Sequence, residues 1–182
     1  LGVEFVTIDG EVLRLGGKHL DPAGLDLLGI ITGSEGLLGV VTEVTVRLLH
    51  APTTARALLV GFDSVEAGGA VVGAVIAAGI IPAGMEMMDR PAIHAAEAFC
   101  NAGYPLDAES LLIIELDGPA VEVDHLIGIV QGICQEHGAT SIRISETEEE
   151  RAAFWSGRKN AFPAVGRISP DYYCMDGTIP RG

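Results

Sequence analysis

At Ala51-Pro52 the chain changes its grammar, and that change constrains the fold more than any other feature. From residue 55 onward, short apolar runs alternate with segments of helical period. ARALLVGF reads as a strand, and Asp63, with Glu66 three positions on, reads as an acidic capping box that opens a helix carrying Val71, Val72, Val75 and Ile76 on one side. Residues 80–88 predict a second strand, and 89–100 a second helix with Pro91 in its first turn. LLIIEL at 111–116 is an apolar, buried strand. A helix is predicted over 120–137, with Val123, Leu126, Ile127, Val130, Ile133 and Cys134 at helical spacing and Gly138 as its stop. Residues 140–145 form another strand, with Ile142 and Ile144 inward. Thr147 and Glu150 then box a last helix through Phe154, Trp155 and Arg158. The order β-α-β-(α)-β-α-β predicts an α+β fold of the split βαβ kind, an antiparallel sheet with helices on one face.

Residues 1–50 read instead as strands and turns. VEFVTI is a strand, Asp9-Gly10 a hairpin turn, and EVLRL the returning strand. A loop follows (GGKHLDPAGLD), then residues 27–31 and the cluster TGSEGLLG. In VVTEVTVRLL, Val40, Thr42, Val44, Val46 and Leu48 alternate with the other face. The predicted division is therefore residues 1–52 and residues 53–182.

Charge excludes some classes. Asp and Glu outnumber Lys and Arg by 25 to 11, a net charge of −14, which argues against a nucleic-acid groove or an anionic membrane surface. Apolar runs such as 71–81 are too short and too rich in Gly and Ala to span a bilayer. Cys100, Cys134 and Cys174 lie far apart with no Cys-x-x-Cys pair, which predicts free thiols and a cytoplasmic location. The start at Leu1 and the stop at TIPRG read as those of a piece excised from a longer protein.

Three candidates for chemistry remain after elimination. His19, His50, His94, His125 and His137 have no metal-ligand spacing, so no metal is expected. There is no G-x-S-x-G elbow, no Walker lysine and no strand-to-helix G-x-G-x-x-G. The cluster Gly33, Ser34, Gly36, Gly39 is either a turn between strands or a concavity of N–H donors for a cofactor. Arg158, one helical turn from Phe154 and Phe162 and three residues from Trp155, is either a stacked structural residue or a carboxylate clamp. The stretch PDYYCMDGTIP concentrates phenols and a carboxylate near the end of the chain, as packing residues or as part of a site.

DLLGIITGSEGLLGVVTEVTVRLL resembles the D-L-x-G-L-x-x-G-S-E-G-T-L-G-I-x-T segment of FAD-linked 2-hydroxy-acid oxidoreductases. These are of the glycolate oxidase D-subunit and FAD-dependent D-lactate dehydrogenase type, among the vanillyl-alcohol-oxidase-like flavoproteins. IPAGMEMMDRPAI, LLIIELDGP and FWSGRKNAFPAVGRISPDYYCMDGTIPR are similar to later segments of the same family. The resemblance implies that residues 1–52 end an FAD-binding domain and residues 53–182 begin a ferredoxin-like, substrate-binding cap. It implies FAD contacts at Gly33, Ser34, Glu35, Gly36, Leu38, Gly39, Val40 and Val41, and a substrate-carboxylate grip at Arg158. The implied reaction oxidises a 2-hydroxy acid to a 2-oxo acid, with hydride passing to FAD and electrons then leaving to a quinone, cytochrome or partner subunit.

Three departures qualify the match. Leu37 replaces a threonine, and Leu25 replaces a tyrosine. Cys174 stands where members acting on 2-hydroxyglutarate hold a lysine, which favours a monocarboxylate such as lactate or glycolate. The base and any metal ligands are expected outside this chain, and the chain alone is expected to be inactive. The rival expectation is a non-catalytic ligand-binding or regulatory module of ferredoxin-like fold.

Overall fold

The computed structural model describes residues 1–20 and 24–177. Residues 21–23 of the first loop and the closing TIPRG stretch lie outside the described residues. The chain forms two compact units, Leu1–Ala51 and Pro52–Gly182.

The first unit is a three-stranded antiparallel sheet of order β2-β1-β3, built from β1 (Gly2–Val6), β2 (Val12–Gly16) and β3 (Val40–Thr45). The hairpin between β1 and β2 has a three-residue loop rather than a two-residue Asp-Gly turn. Thr7 and Glu11 close it, and Gly10 takes φ +81°. Residues 27–31 are not extended: Asp26 caps them as a short helix, α1 (Leu27–Ile31), by accepting from the Gly29 N–H. The even alternation expected along residues 40–48 also fails. A bulge opposite Glu4 and Phe5 shifts the register, the strand stops at Thr45, and the Thr42 hydroxyl donates to Glu4 at 2.9 Å. Among the described residues of this unit, Phe5 is the one large apolar side chain that is buried. Val12, Val40, Val44, Leu48 and Leu49 are all exposed.

The second unit is a four-stranded antiparallel sheet of order β5-β6-β4-β7. Its strands are β4 (Thr54–Phe62), β5 (Gly84–Asp89), β6 (Ser110–Gly118) and β7 (Ala139–Ile144). This is the ferredoxin-like strand order. The sheet is covered on both faces, not one, and period two explains why. In β4, Leu58, Val60 and Phe62 meet α2 (Val65–Ala77) and α4 (Ala120–Glu136) through Val71, Val75, Val123, Ile127, Val130 and Cys134. The alternate residues Ala57 and Leu59, with Leu111 and Ile113 of β6, meet α3 (Arg90–Cys100) and α5 (Glu148–Lys159) through Ile93, Ala96 and Phe154. Fully buried apolar runs such as LLII in β6 are the signature of that arrangement.

Helix starts follow local chemistry. Ser64, not Asp63, caps α2 by accepting from Ala67 N–H at 3.1 Å, and Asp89 caps α3 ahead of Pro91. Thr147 caps α5, while the Glu150 carboxylate reaches back to the N–H of Glu146 rather than of Thr147. Strand β5 begins at Gly84, later than expected, because residues 80–83 are spent leaving α2; Ile80 is nonetheless buried. A further helix, α6 (Ala161–Ile168), follows α5 and packs on α3.

Candidate functional site

Each glycine of the first unit's cluster has a local reason to be glycine. Gly33 (φ +81°) follows the last residue of α1 and its cap Thr32, where a left-handed residue ends the helix and lets Ser34 N–H bond Ile31. Glu35 (φ +51°) and Gly36 (φ +79°) are the central pair of a tight turn closed by Leu37 N–H on Ser34 O at 2.9 Å; two positive φ values are the type I′ pattern. Gly39 (φ +151°) lies against β1, where a Cβ would strike the carbonyl of Val6 and come within 2.6 Å of the Phe5 ring.

The same residues leave an open surface. No heavy atom lies within 4 Å of where a Cβ would stand at Gly33 or Gly36. The N–H groups of Glu35 and Gly36 have no partner among the described residues. Leu37, Leu38, Val40 and Val41 are exposed beside them. Two bare backbone donors therefore stand next to an apolar strip, so the tight turn also presents an open donor surface.

In the second unit Arg158 lies in a cleft of about 580 Å³. Glu86, Met88 and Asp89 of β5, Phe162 and Val165 of α6, and Tyr172, Tyr173 and Cys174 line it with Arg158. The cleft brings together two features that are distant in sequence: the arginine of α5 and the Tyr-Tyr-Cys stretch. Arg158 does not stack on the neighbouring aromatics. Phe154 is buried under the guanidinium of Arg143, 5.0 Å from its ring centroid. Trp155 packs over Gly84, and its Nε1–H donates to Glu115 at 2.6 Å. Glu115 also accepts from Arg151 at 2.6 Å, so β6 fixes this face of α5. Bonds to Glu148 and Glu115 hold the Arg151 guanidinium firmly charged, its pKa raised above the ordinary value.

The backbone of Arg158 has its own anchor. The Tyr104 hydroxyl donates to the Phe154 carbonyl at 2.6 Å and accepts the Arg158 N–H at 3.0 Å. It thereby bridges the i and i+4 members of one helical hydrogen bond. Burial pushes this phenol up to about 12, so it remains a neutral donor across the ordinary pH range. Tyr104 was not singled out by sequence; Gly157 beside Arg158 was the available signal, since a side chain there would occupy the space of the Tyr104 ring.

Arg158 Nε–H donates to Glu86 at 3.1 Å, and both side chains are half-exposed. Among the described residues lining the cleft, Arg158 is the one cation, and Glu86 and Asp89 are the carboxylates. Among the described residues no three His, Cys, Asp or Glu side chains converge as a metal site would require. No helix of those residues is long and apolar enough to cross a membrane.

Residues 51–182 match the family model described as FAD linked oxidases, C-terminal domain. The whole chain is 60% identical to glycolate oxidase subunit GlcD of Escherichia coli (strain K12), covering 36% of that protein. It is 38% identical to the Bacillus subtilis subunit of the same name, again over all of this chain and 39% of that protein. A probable mitochondrial D-lactate dehydrogenase of Danio rerio is 28% identical over 99% of this chain and 37% of its own length. The chain therefore spans little more than a third of these curated relatives. Among solved structures, alkyldihydroxyacetonephosphate synthase superposes with a TM-score of 0.69 at 20% identity, over 94% of this chain and 34% of that one. p-Cresol methylhydroxylase does so at 0.63 and 18%, over 85% and 36%. At such identities the likeness is one of fold.

Proposed function

The chain belongs to the FAD linked oxidases, through their C-terminal domain, and from that premise we propose that the protein carrying it oxidises a small 2-hydroxy monocarboxylate to the 2-oxo acid. The observation that carries this reading is Arg158 in its cleft, a fork of donors with its Nη end free of partners among the described residues. Arg158 holds the substrate carboxylate. Phe162, Val165 and Met88 exclude water around the rest of a short chain. Glu86 and Asp89, with Cys174 in place of a second cation, disfavour a dicarboxylate.

FAD, when bound, supplies the hydride acceptor. Gly33, Ser34, Glu35, Gly36, Leu38, Gly39, Val40 and Val41 would hold it, presenting N–H groups and apolar side chains of the first unit. That unit is read as the end of the FAD-binding domain, and a sheet with, among its described residues, a single large buried apolar side chain supports reading it as part of something larger. Residues 53–182 are read as the substrate-binding cap. The proton acceptor is assigned to no residue of this chain. Electrons leave to an acceptor of the quinone, cytochrome or protein-subunit class, and free thiols at Cys100, Cys134 and Cys174 support a cytoplasmic site of action.

The test is the visible spectrum of the full-length protein before and after anaerobic addition of glycolate, D-lactate or D-2-hydroxyglutarate. A flavin spectrum that bleaches with a monocarboxylate and fails to bleach after Arg158→Ala is the expected result. A colourless protein that takes up no added FAD returns the chain to the class of ligand-binding modules.

A further inference from the structure

We propose that Glu86 is a positioning residue for Arg158, an inference that rests on Arg158 being the carboxylate grip. A guanidinium offers a carboxylate two edges: a side edge that includes Nε–H, and the end edge formed by Nη1 and Nη2. Glu86 takes Nε–H at 3.1 Å, while neither Nη atom has a hydrogen-bond partner among the described residues. The side edge is spent on the protein and the end edge is kept for a ligand.

Both ends of this contact are held by rigid elements. Glu86 stands on β5 opposite Ile113 of β6, inside a register that runs unbroken from Gly84 to Asp89. The Arg158 main chain is fixed by the Tyr104 hydroxyl. With both backbones fixed, the side-chain torsions are what remain free, and the Nε–H bond to Glu86 is the contact that limits those of Arg158. Stability does not account for the contact. The side chains are 35% and 40% exposed, and an ion pair so wet adds little to stability. A carboxylate beside an anion-binding arginine also repels the anion. Orientation is the gain that offsets this: without the Nε bond the guanidinium swings, and the ligand must pay to still it.

Two substitutions separate orientation from charge. Glu86→Gln keeps an acceptor oxygen for Nε–H and removes the charge; Glu86→Ala removes both. In the full-length protein, with glycolate and D-lactate as probes, Glu86→Ala is expected to raise KM about tenfold with kcat changed less than about threefold, the signature of lost uniform binding. Glu86→Gln is expected to return KM to the parent value or below it. The melting temperature should not move in either variant.

If Glu86→Ala leaves KM unchanged while Arg158→Ala raises it, the grip stands and the positioning role is overturned. Equal KM increases in the Gln and Ala variants also overturn it, because then charge and not the acceptor is what matters. An Arg158→Ala variant with unchanged KM removes the underlying reading instead.

Discussion

The ring of Tyr104 fills the space that a Cβ of residue 157 would need; the phenol oxygen lies 2.5 Å from that point. Gly157 is therefore the opening through which a hydroxyl from the loop after α3 enters the backbone of α5. Gly157→Ala should destabilise the second unit by about 1–3 kcal/mol, the usual cost of overpacking a close contact. Thermal unfolding of the full-length protein measures it. A wild-type melting temperature would mean that Tyr104 does not hold the helix.

Alkaline pH should loosen the same joint. The folded phenol titrates at about 12 against an ordinary 10.0, because burial disfavours the phenolate. Its folded pKa is raised, so its contribution is complete below pH 10 and is lost as pH climbs from 10 toward 12. Unfolding midpoints at pH 8, 10 and 11 should fall over the last interval, and the fall should be smaller in Tyr104→Phe, which has no phenol to ionise. Equal slopes in the two proteins would count against the burial of that group.

Two of the three thiols, Cys174 and Cys134, should react in a fixed order. Cys174 is exposed and lines the cleft, whereas Cys134 is buried in α4 with its thiol pushed up to about 11 by desolvation. Iodoacetamide at pH 8 should alkylate Cys174 readily and spare Cys134 until denaturant is added. On the proposed reading, glycolate slows labelling of Cys174. Mass spectrometry of the modified peptides reads both effects, and labelling of Cys174 that glycolate does not slow would argue that the ligand sits elsewhere.

Substitutions at the glycine cluster should separate folding from cofactor binding. Gly39→Ala drives a side chain into Val6 and Phe5 and should disrupt the first unit. Gly36→Ala meets open space and costs only the left-handed strain, about 1–2 kcal/mol. If the loop faces FAD, Gly36→Ala should lower the flavin content of purified protein while its far-UV spectrum is retained. Full flavin occupancy in that variant would leave Gly36 as a turn residue and nothing more.

How far the sequence revealed this molecule varies by element. Helix α4 and strand β6 were plain because a long helical period and a fully apolar run each have one physical reading. The antiparallel α+β sheet followed from their order. Its second covered face did not: Ala57 and Leu59 in one apolar run, and Leu111 and Ile113 in another, look like their neighbours, and only their strand parity assigns them to α3 and α5. The bulge at Thr42 was illegible because a register shift depends on the partner strand, here Glu4 and Phe5. Helix α6 was missed where Asn160 ends α5 and starts the next helix without a side-chain cap.

The site divided in the same way. Arg158 was visible as a cation in an aromatic neighbourhood, but its true surroundings, Glu86 on one edge and Tyr104 at its backbone, come from segments far away in sequence. No local pattern encodes such pairings. For the glycines, spacing suggested a ligand, while the geometry supplied helix stop, tight turn and close packing first.

The strand order of the second unit also sets when it can fold. β4 is central, and its Leu59 lies opposite Ile113 of β6 on one side and Arg143 of β7 on the other. Both partners are made long after β4 itself leaves the ribosome. Until then the run LLVGF is an apolar strand with two unpaired edges, and only α2 on one face and α3 on the other are available to cover it. The sheet cannot close until β6 and β7 have both been made, so this apolar run stays unpaired while the intervening elements are added.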